Sequence, residues 1–498
     1  MTRGDGFRWV SILLGPILFI LILLLPAPSG LGAIGHRVLA CTIWVVIWWL
    51  TDIVPMAITS LMPLVLFPIL GVLPIKDVSD YYANPIIFLF IGGFIIALAM
   101  EKWDLHKRIA LNIIKVAGTN ERQILLGFII ATGGLSMWIS NTATTMMMLP
   151  IGISIISQLA TIIKTQGSHQ QTENSGFGKA LILSIAFSAS IGGMATIVGT
   201  PTNLILVEGV NQLYNYDIPF DQWFFFGLPL VIVLLGVLWW HLGHNAFRLS
   251  KAQVPGAKAV IQTEIDELGP MTKEERWVAV VFSLVAVSWI LRQPLLQPIF
   301  PNANDTTIAL IGAVTLFLIP TSKGDGSFLM DWSYAKRLPW AVILLFGGAF
   351  AVAGSFSSSG LTEWLGGKMA GLNSLPFWLI LLAVVALVNY LTELTQNMAT
   401  CTLMIPVLAA LSLTIDVHPL GLMTAMTIAA SCAFMMPIAT APNAIIFGSG
   451  ELQIKDMIKA GFLLNILSII LITGFVYFLL PMIWDIDLTV FPEGWKGM

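Results

Sequence analysis

Charge is what this sequence has least of. Asp, Glu, Lys and Arg together make up 10% of its 498 residues, where soluble domains carry about 25%. That scarcity leaves no basic patch for nucleic acid or for an acidic partner. Cysteine is scarce too. Cys41, Cys401 and Cys432 all lie in apolar runs, which excludes a disulfide framework and marks them as small buried residues. No H-E-x-x-H motif and no paired intramembrane aspartates occur, so the sequence argues against an intramembrane enzyme and no catalytic residue is assigned. Long hydrophilic stretches are missing as well: the longest, 248–276, leaves no room for an ordered soluble domain. What remains is 57% hydrophobic, the composition of an all-α polytopic membrane protein.

Apolar runs fall at about 9–26, 36–54, 57–73 and 86–100, followed by a basic amphipathic stretch at 101–119. The run 9–26 ends in Pro26-Ala27-Pro28 without a small-residue cleavage site, so it is expected to be a span and not a removed signal peptide. At 123–160 two short apolar arms flank Ser136-Met137-Trp138-Ile139-Ser140-Asn141-Thr142-Ala143-Thr144-Thr145. Neither arm reaches the roughly 20 residues that a span needs. The pattern predicts a re-entrant hairpin whose polar tip sits at membrane depth, where irregular backbone must face protein or a water-filled cavity. A polar loop at 161–178, a broken span at 179–212 and a full span at 223–243 come next. Beyond the hydrophilic connector lie spans near 277–296, 306–320 and 338–356, a second interrupted region at 376–413, a broken span at 417–450 and a last span at 461–484.

The distribution of positive charge orients the chain. With a cytoplasmic N-terminus and each interrupted region returning to its own side, only Arg37, Lys76, Arg292, Lys368 and Lys496 of 24 basic residues fall outside, and the C-terminus is external. Reading 123–160 as a single crossing would put Lys164, Lys179 and the basic connector outside. The hairpin is preferred.

The second half of the chain repeats the first. Gly92-Gly93 and Gly347-Gly348 hold equivalent places, and N-x-A-T-x5-P occurs twice, at Asn141/Ala143/Thr144/Pro150 and Asn397/Ala399/Thr400/Pro406. Five residues before each asparagine stands a hydroxyl, Ser136 or Thr392. Each hairpin precedes a Gly-, Pro- and Thr-rich break, at 190–203 and 434–443. One hairpin enters from inside and its copy from outside, so the repeats are inverted. Helix ends exposed at such tips favour anions through free N–H groups, while freed carbonyls and Ser, Thr and Asn oxygens suit a hard monovalent cation. No Lys or Arg lies in any of the four motifs. An anionic substrate would be held by neutral donors and co-bound cations, which argues for coupled transport.

At these residues the sequence resembles the divalent anion/sodium symporter family over nearly its whole length. Ser140-Asn141-Thr142 matches the family's first Ser-Asn-Thr motif, and Ser431–Ile445 is similar to its C-terminal signature. The resemblance implies eleven transmembrane helices plus two hairpins, a homodimer in the cell membrane, and an elevator mechanism. On that scheme 1–119 and 277–375 are scaffold, 120–247 and 376–498 are the two halves of a transport domain, and 248–276 is a cytoplasmic connector. Carried over by motif, one sodium ion would meet Ser136, Ser140, Asn141 and the Gly199 backbone. The other would meet Thr392, Thr395, Asn397 and the Ala439 backbone. A di- or tricarboxylate, foremost succinate, malate or fumarate, would meet Asn141, Thr142 and Thr200 from one half. From the other it would meet Asn397, with Met398 and Ala441 beside it. Sodium is the coupling ion, and no other cofactor is implied. The sequence departs from the family at Gln396-Asn397-Met398, where Ser-Asn-Thr is usual, and at Thr202 and Ala441, where Pro is usual. A sodium-independent exchanger and a sulfate carrier are the alternatives on the same fold.

Other polar residues have plainer readings. Glu393, whose counterpart in the first repeat is Met137, is either a structural hydrogen-bonder or a cation- or proton-coupling group. His241 and His244 share a helix face but lack a third ligand. Met146–Met148 reads as packing, and the basic residues of 101–119 read as lying along the headgroups.

Overall fold

Polar punctuation sets the helix boundaries. Asn120 and Gln123 cap Glu121–Ser136 reciprocally, and Thr272 with Glu275 does the same for Lys273–Ile290. Prolines occupy the first turn of Pro85–Lys102, Pro201–Tyr214 and Pro419–Ala430, where no N–H is needed. The computed structural model describes residues 3–165, 176–322, 324–369, 371 and 375–496. The core of the predicted polar loop 161–178 lies outside the described residues.

Among those residues, eight helices are long and apolar enough to cross a membrane, and shorter apolar helices such as Ser11–Leu24, Asp305–Leu316 and Phe377–Leu391 accompany them. The first hairpin is Glu121–Ser136 and Asn141–Thr165; its copy is Phe377–Leu391 and Asn397–Thr414. The first broken span is Gly176–Gly193 and Pro201–Tyr214, and the second is Pro419–Ala430 and Ala441–Gly448. One expected span is itself interrupted: 57–73 forms Met56–Thr59 and Met62–Ile69, broken at Ser60-Leu61 just before Pro63. The connector also carries a helix, Ala257–Glu267.

Several tertiary hydrogen bonds join helix ends that the charge reading assigns to one face. On the predicted cytoplasmic side Lys102 pairs with Asp331 at 2.6 Å, Lys179 with Asp456 at 2.9 Å, and the Arg122 Nε–H donates to Leu249 O. On the opposite side Asn84 donates to Glu208 at 2.6 Å and the Phe220 amide donates to Asp305 at 3.0 Å. The amphipathic stretch folds as Leu105–Ala117. Its Arg108 is committed to Glu275 through two bonds, 2.9 and 3.1 Å, so this member of the basic face serves a protein contact and not the headgroups.

The broken spans pack tightly on the hairpins. A methyl at Gly192 would overlap the Gly133 carbonyl, and one at Gly461 of the last helix would overlap that of Phe434. Trp138, just before the first tip, lies parallel to Trp289 at 6.4 Å between ring centres and meets Phe282 edge-on at 5.3 Å. Offset and edge-on aromatic contacts of this kind each add about 1 kcal/mol beyond burial.

Candidate ion and substrate site

The first tip is built on a hydroxyl that the sequence singles out. Ser136, fully buried, shares its proton between Ala189 O at 2.7 Å and Asn141 Oδ1 at 2.8 Å. Asn141 opens the second arm of the hairpin, while Ser140 Oγ accepts from the Ala143 amide at 3.3 Å. Gly193 and Gly199 close in on this group: a methyl at Gly193 would run into Asn141 Oδ1, and one at Gly199 into the carbonyls of Gly193 and Met137. Backbone and amide oxygens therefore converge where glycine alone leaves room. That donor set is all oxygen, without thiol or imidazole, and fits a hard monovalent cation.

The second tip repeats the shared hydroxyl. Thr392, also fully buried, shares its proton between Asn397 Oδ1 at 2.7 Å and Ala430 O at 3.0 Å. Each break is braced by an asparagine: Asn203 donates to Thr196 O at 2.8 Å, and Asn443 to Met436 O at 3.0 Å and Ala433 O at 3.1 Å. Two residues quoted in the motifs thus hold the unwound backbone. Their recurrence at the end of both breaks is the signal that could have singled them out.

The remaining predicted residues divide. Thr200 is buried and contacts Thr202 at 3.3 Å, and Thr202 contacts Ser431 at 2.9 Å, so the two breaks meet through hydroxyls. The Thr at position 202, where Pro is usual, creates this link. Thr142 and Asn397 are half-buried in the first turns of their helices. Ala439 is buried and its amide reaches Met436 O at 3.3 Å. Thr395 engages Thr400 at 2.7 Å and Leu391 O at 2.9 Å, and has no hydrogen bond to the Thr392–Asn397 pair. Met398 is half-buried against the hydrophobic core, while Ala441 is exposed.

Glu393 takes a structural position. Its carboxylate accepts from the amides of Phe434 (2.8 Å), Met435 (2.9 Å) and Met436 (2.9 Å) and from Asn465 Nδ2 (2.7 Å). It clamps the second break to the hairpin and to Ile454–Trp484. His241 Nε2 donates to Ala460 O at 2.8 Å and its Nδ1 faces Asn245, while His244 packs edge-on against Trp239. Among the described residues no three His, Cys, Asp or Glu side chains converge as metal ligands.

Two Asn-centred hairpins and two broken helices in inverted repeats define a membrane-transporter fold. Solved structures share it over most of their length at 12% identity. They are MtrF of Neisseria gonorrhoeae, titled as illuminating a class of antimetabolite efflux pumps (TM-score 0.53, 96% of this chain and 94% of that one), and the YdaH transporter of Alcanivorax borkumensis (TM-score 0.53, 95% and 96%). The sequence is more specific. Residues 7–484 match the family described as the sodium:sulfate symporter transmembrane region, and the chain belongs to that family. It is 44% identical to the sodium-dependent dicarboxylate transporter SdcS of Staphylococcus aureus (strain USA300) across 96% of this chain and 92% of that one. It is 45% identical to SdcS of Staphylococcus saprophyticus, across 96% and 93%.

Proposed function

We propose that the protein is a secondary transporter that couples sodium entry to uptake of a dicarboxylate such as succinate, malate or fumarate. The observation that carries this reading is the duplicated tip, in which Ser136–Asn141 and Thr392–Asn397 present the same oxygen arrangement beside unwound backbone. One sodium ion sits with Ser136, Ser140, Asn141 and Gly199, and another with Thr392, Thr395, Asn397 and Ala439. With no Lys or Arg in the four motifs, these cations supply the positive charge that two carboxylates require. The substrate then meets Asn141, Thr142, Thr200 and Asn397, beside Met398 and Ala441. The naming of the 44%-identical relatives as sodium-dependent dicarboxylate transporters supports this choice of ion and substrate.

The protein works as a homodimer in the cell membrane, with its N-terminus cytoplasmic and its C-terminus outside. Residues 120–247 and 376–498 move as a transport domain against 1–119 and 277–375, with 248–276 as the cytoplasmic connector. The test is succinate uptake into proteoliposomes with and without an inward sodium gradient. Uptake that needs the gradient is expected; uptake indifferent to sodium but dependent on internal counter-substrate overturns symport in favour of exchange. The family description also names sulfate. Competition by sulfate stronger than by malate would move the substrate assignment there.

A further inference from the structure

Glu393 poses a problem that the duplicated tips do not solve. It is 3% exposed at the tip of a membrane hairpin. It accepts hydrogen bonds through both oxygens and donates none, which is the pattern of an ionised carboxylate. None of the ion pairs among the described residues includes it. Amide dipoles orient toward such a charge without cancelling it, and intramembrane carboxylates normally have a counter-charge. Beside it the polar network continues. Ser468 Oγ donates to Asn465 O at 2.8 Å, and Asn389 Nδ2 donates to Cys432 O at 2.8 Å while lying 3.5 Å from Ser468 Oγ. Asn389, Asn465 and Ser468 are all fully buried. Yet Asn389 Oδ1 and Asn465 Oδ1 have no hydrogen-bond partner. Two buried amide oxygens that accept no hydrogen bond, in one polar cluster beside a carboxylate outside every ion pair, are ligands suited to a cation.

We propose that Asn389, Asn465 and Ser468, with Glu393 as the fixed counter-charge, form a monovalent-cation site behind the second hairpin, additional to the two sites at the tips. The ligands are neutral oxygens, which suits sodium over softer ions. The site has no copy in the first repeat, where Met137 stands for Glu393 and Gly133 for Asn389. Bound there, the cation neutralises Glu393 and steadies the strands of backbone that Glu393 clamps. The proposal rests on the sodium-coupled reading only for the identity of the ion.

The test uses the full-length protein, wild type, Ser468→Ala and Asn389→Leu. Thermal stability in detergent is titrated with sodium chloride against matched choline chloride, without dicarboxylate. The sodium stoichiometry of uptake is then read from the reversal potential in proteoliposomes. The expected result is a half-stabilising sodium concentration raised about tenfold in the variants, and a reversal potential corresponding to one cation fewer per cycle. Variants that melt normally in choline and overlay the wild-type sodium curve would overturn the site and assign the orphaned oxygens to water. If Asn389→Leu does not fold, Ser468→Ala, which removes one oxygen from a helix face, decides alone. Sodium-independent uptake by wild type would sink the symport reading, but the thermal titration would still decide whether the site binds a cation.

Discussion

The two half-sites use one plan with opposite means of support. The first is closed by contact: Gly192, Gly193 and Gly199 leave no space for a methyl against Gly133, Asn141 and Met137. The second carries Cys432, Ala433 and Ala439 at those places and is held by polar bonds, five of them to Glu393. Thr196 brings the halves closest in style, bonding Met137 O at 2.5 Å and the Gly199 amide at 3.0 Å where the second half has Met436. Unwound backbone at membrane depth must be satisfied by something. Here both repeats use an asparagine, Asn203 or Asn443; the first adds the Thr196 hydroxyl under close glycine packing, the second the buried Glu393 carboxylate. Symmetry of the ligands therefore does not require symmetry of the scaffolding behind them.

Breaking each support in turn sharpens this contrast. The largest effect is expected at Gly193→Ala, whose methyl enters the space of Asn141 Oδ1. Uptake should fall below detection, whereas Ala433→Gly at the equivalent place should cost about 1 kcal/mol or less in thermal stability. Glu393→Gln comes next. Its amide must turn an N–H toward backbone amides that now donate, so stability should drop by about 2–3 kcal/mol, read by chemical or thermal unfolding; an unchanged transition would show that the clamp is dispensable. Thr196→Val should cost about 1–2 kcal/mol and weaken sodium dependence with the substrate affinity at saturating sodium retained. Met398→Thr should alter substrate preference in a dicarboxylate panel, since it restores the hydroxyl that the second motif lacks. Unchanged selectivity would place position 398 outside the pocket.

The smallest effect lies away from both halves. Hydrogen bonds from Lys102 and Ser333 hold the Asp331 carboxyl well below the usual carboxylate range. Its contribution is complete above the ordinary Asp value near 3.9 and is lost as pH falls through the lowered one. Asp331→Asn should therefore lower melting slightly at neutral pH, only slightly because solvent screens this half-exposed pair, and flatten the further loss of stability in strong acid.

Much of the fold was legible because membranes punish polar backbone. Short apolar arms around Ser140-Asn141-Thr142 and Gln396-Asn397-Met398 had few alternatives to hairpins. The oxygen pairs Ser136–Asn141 and Thr392–Asn397 were legible too, through their repeated spacing. What lay beyond reach was contact between distant segments. Nothing local ties Glu393 to Asn465, or Thr202 to Ser431, and no periodicity marks Asn389 or Ser468 as neighbours. Thr395 was placed by its position in the motif, while its bonds run to Thr400 and Leu391, a choice made by side-chain rotamers that spacing does not encode.

The parallel pair Trp138 and Trp289 joins the first hairpin tip to the helix Lys273–Ile290. Two indoles held at fixed separation and angle couple their electronic transitions, so the pair is a built-in optical gauge. Any excursion of the first hairpin relative to that helix would separate the rings and change the near-ultraviolet circular dichroism and tryptophan emission, with no label attached.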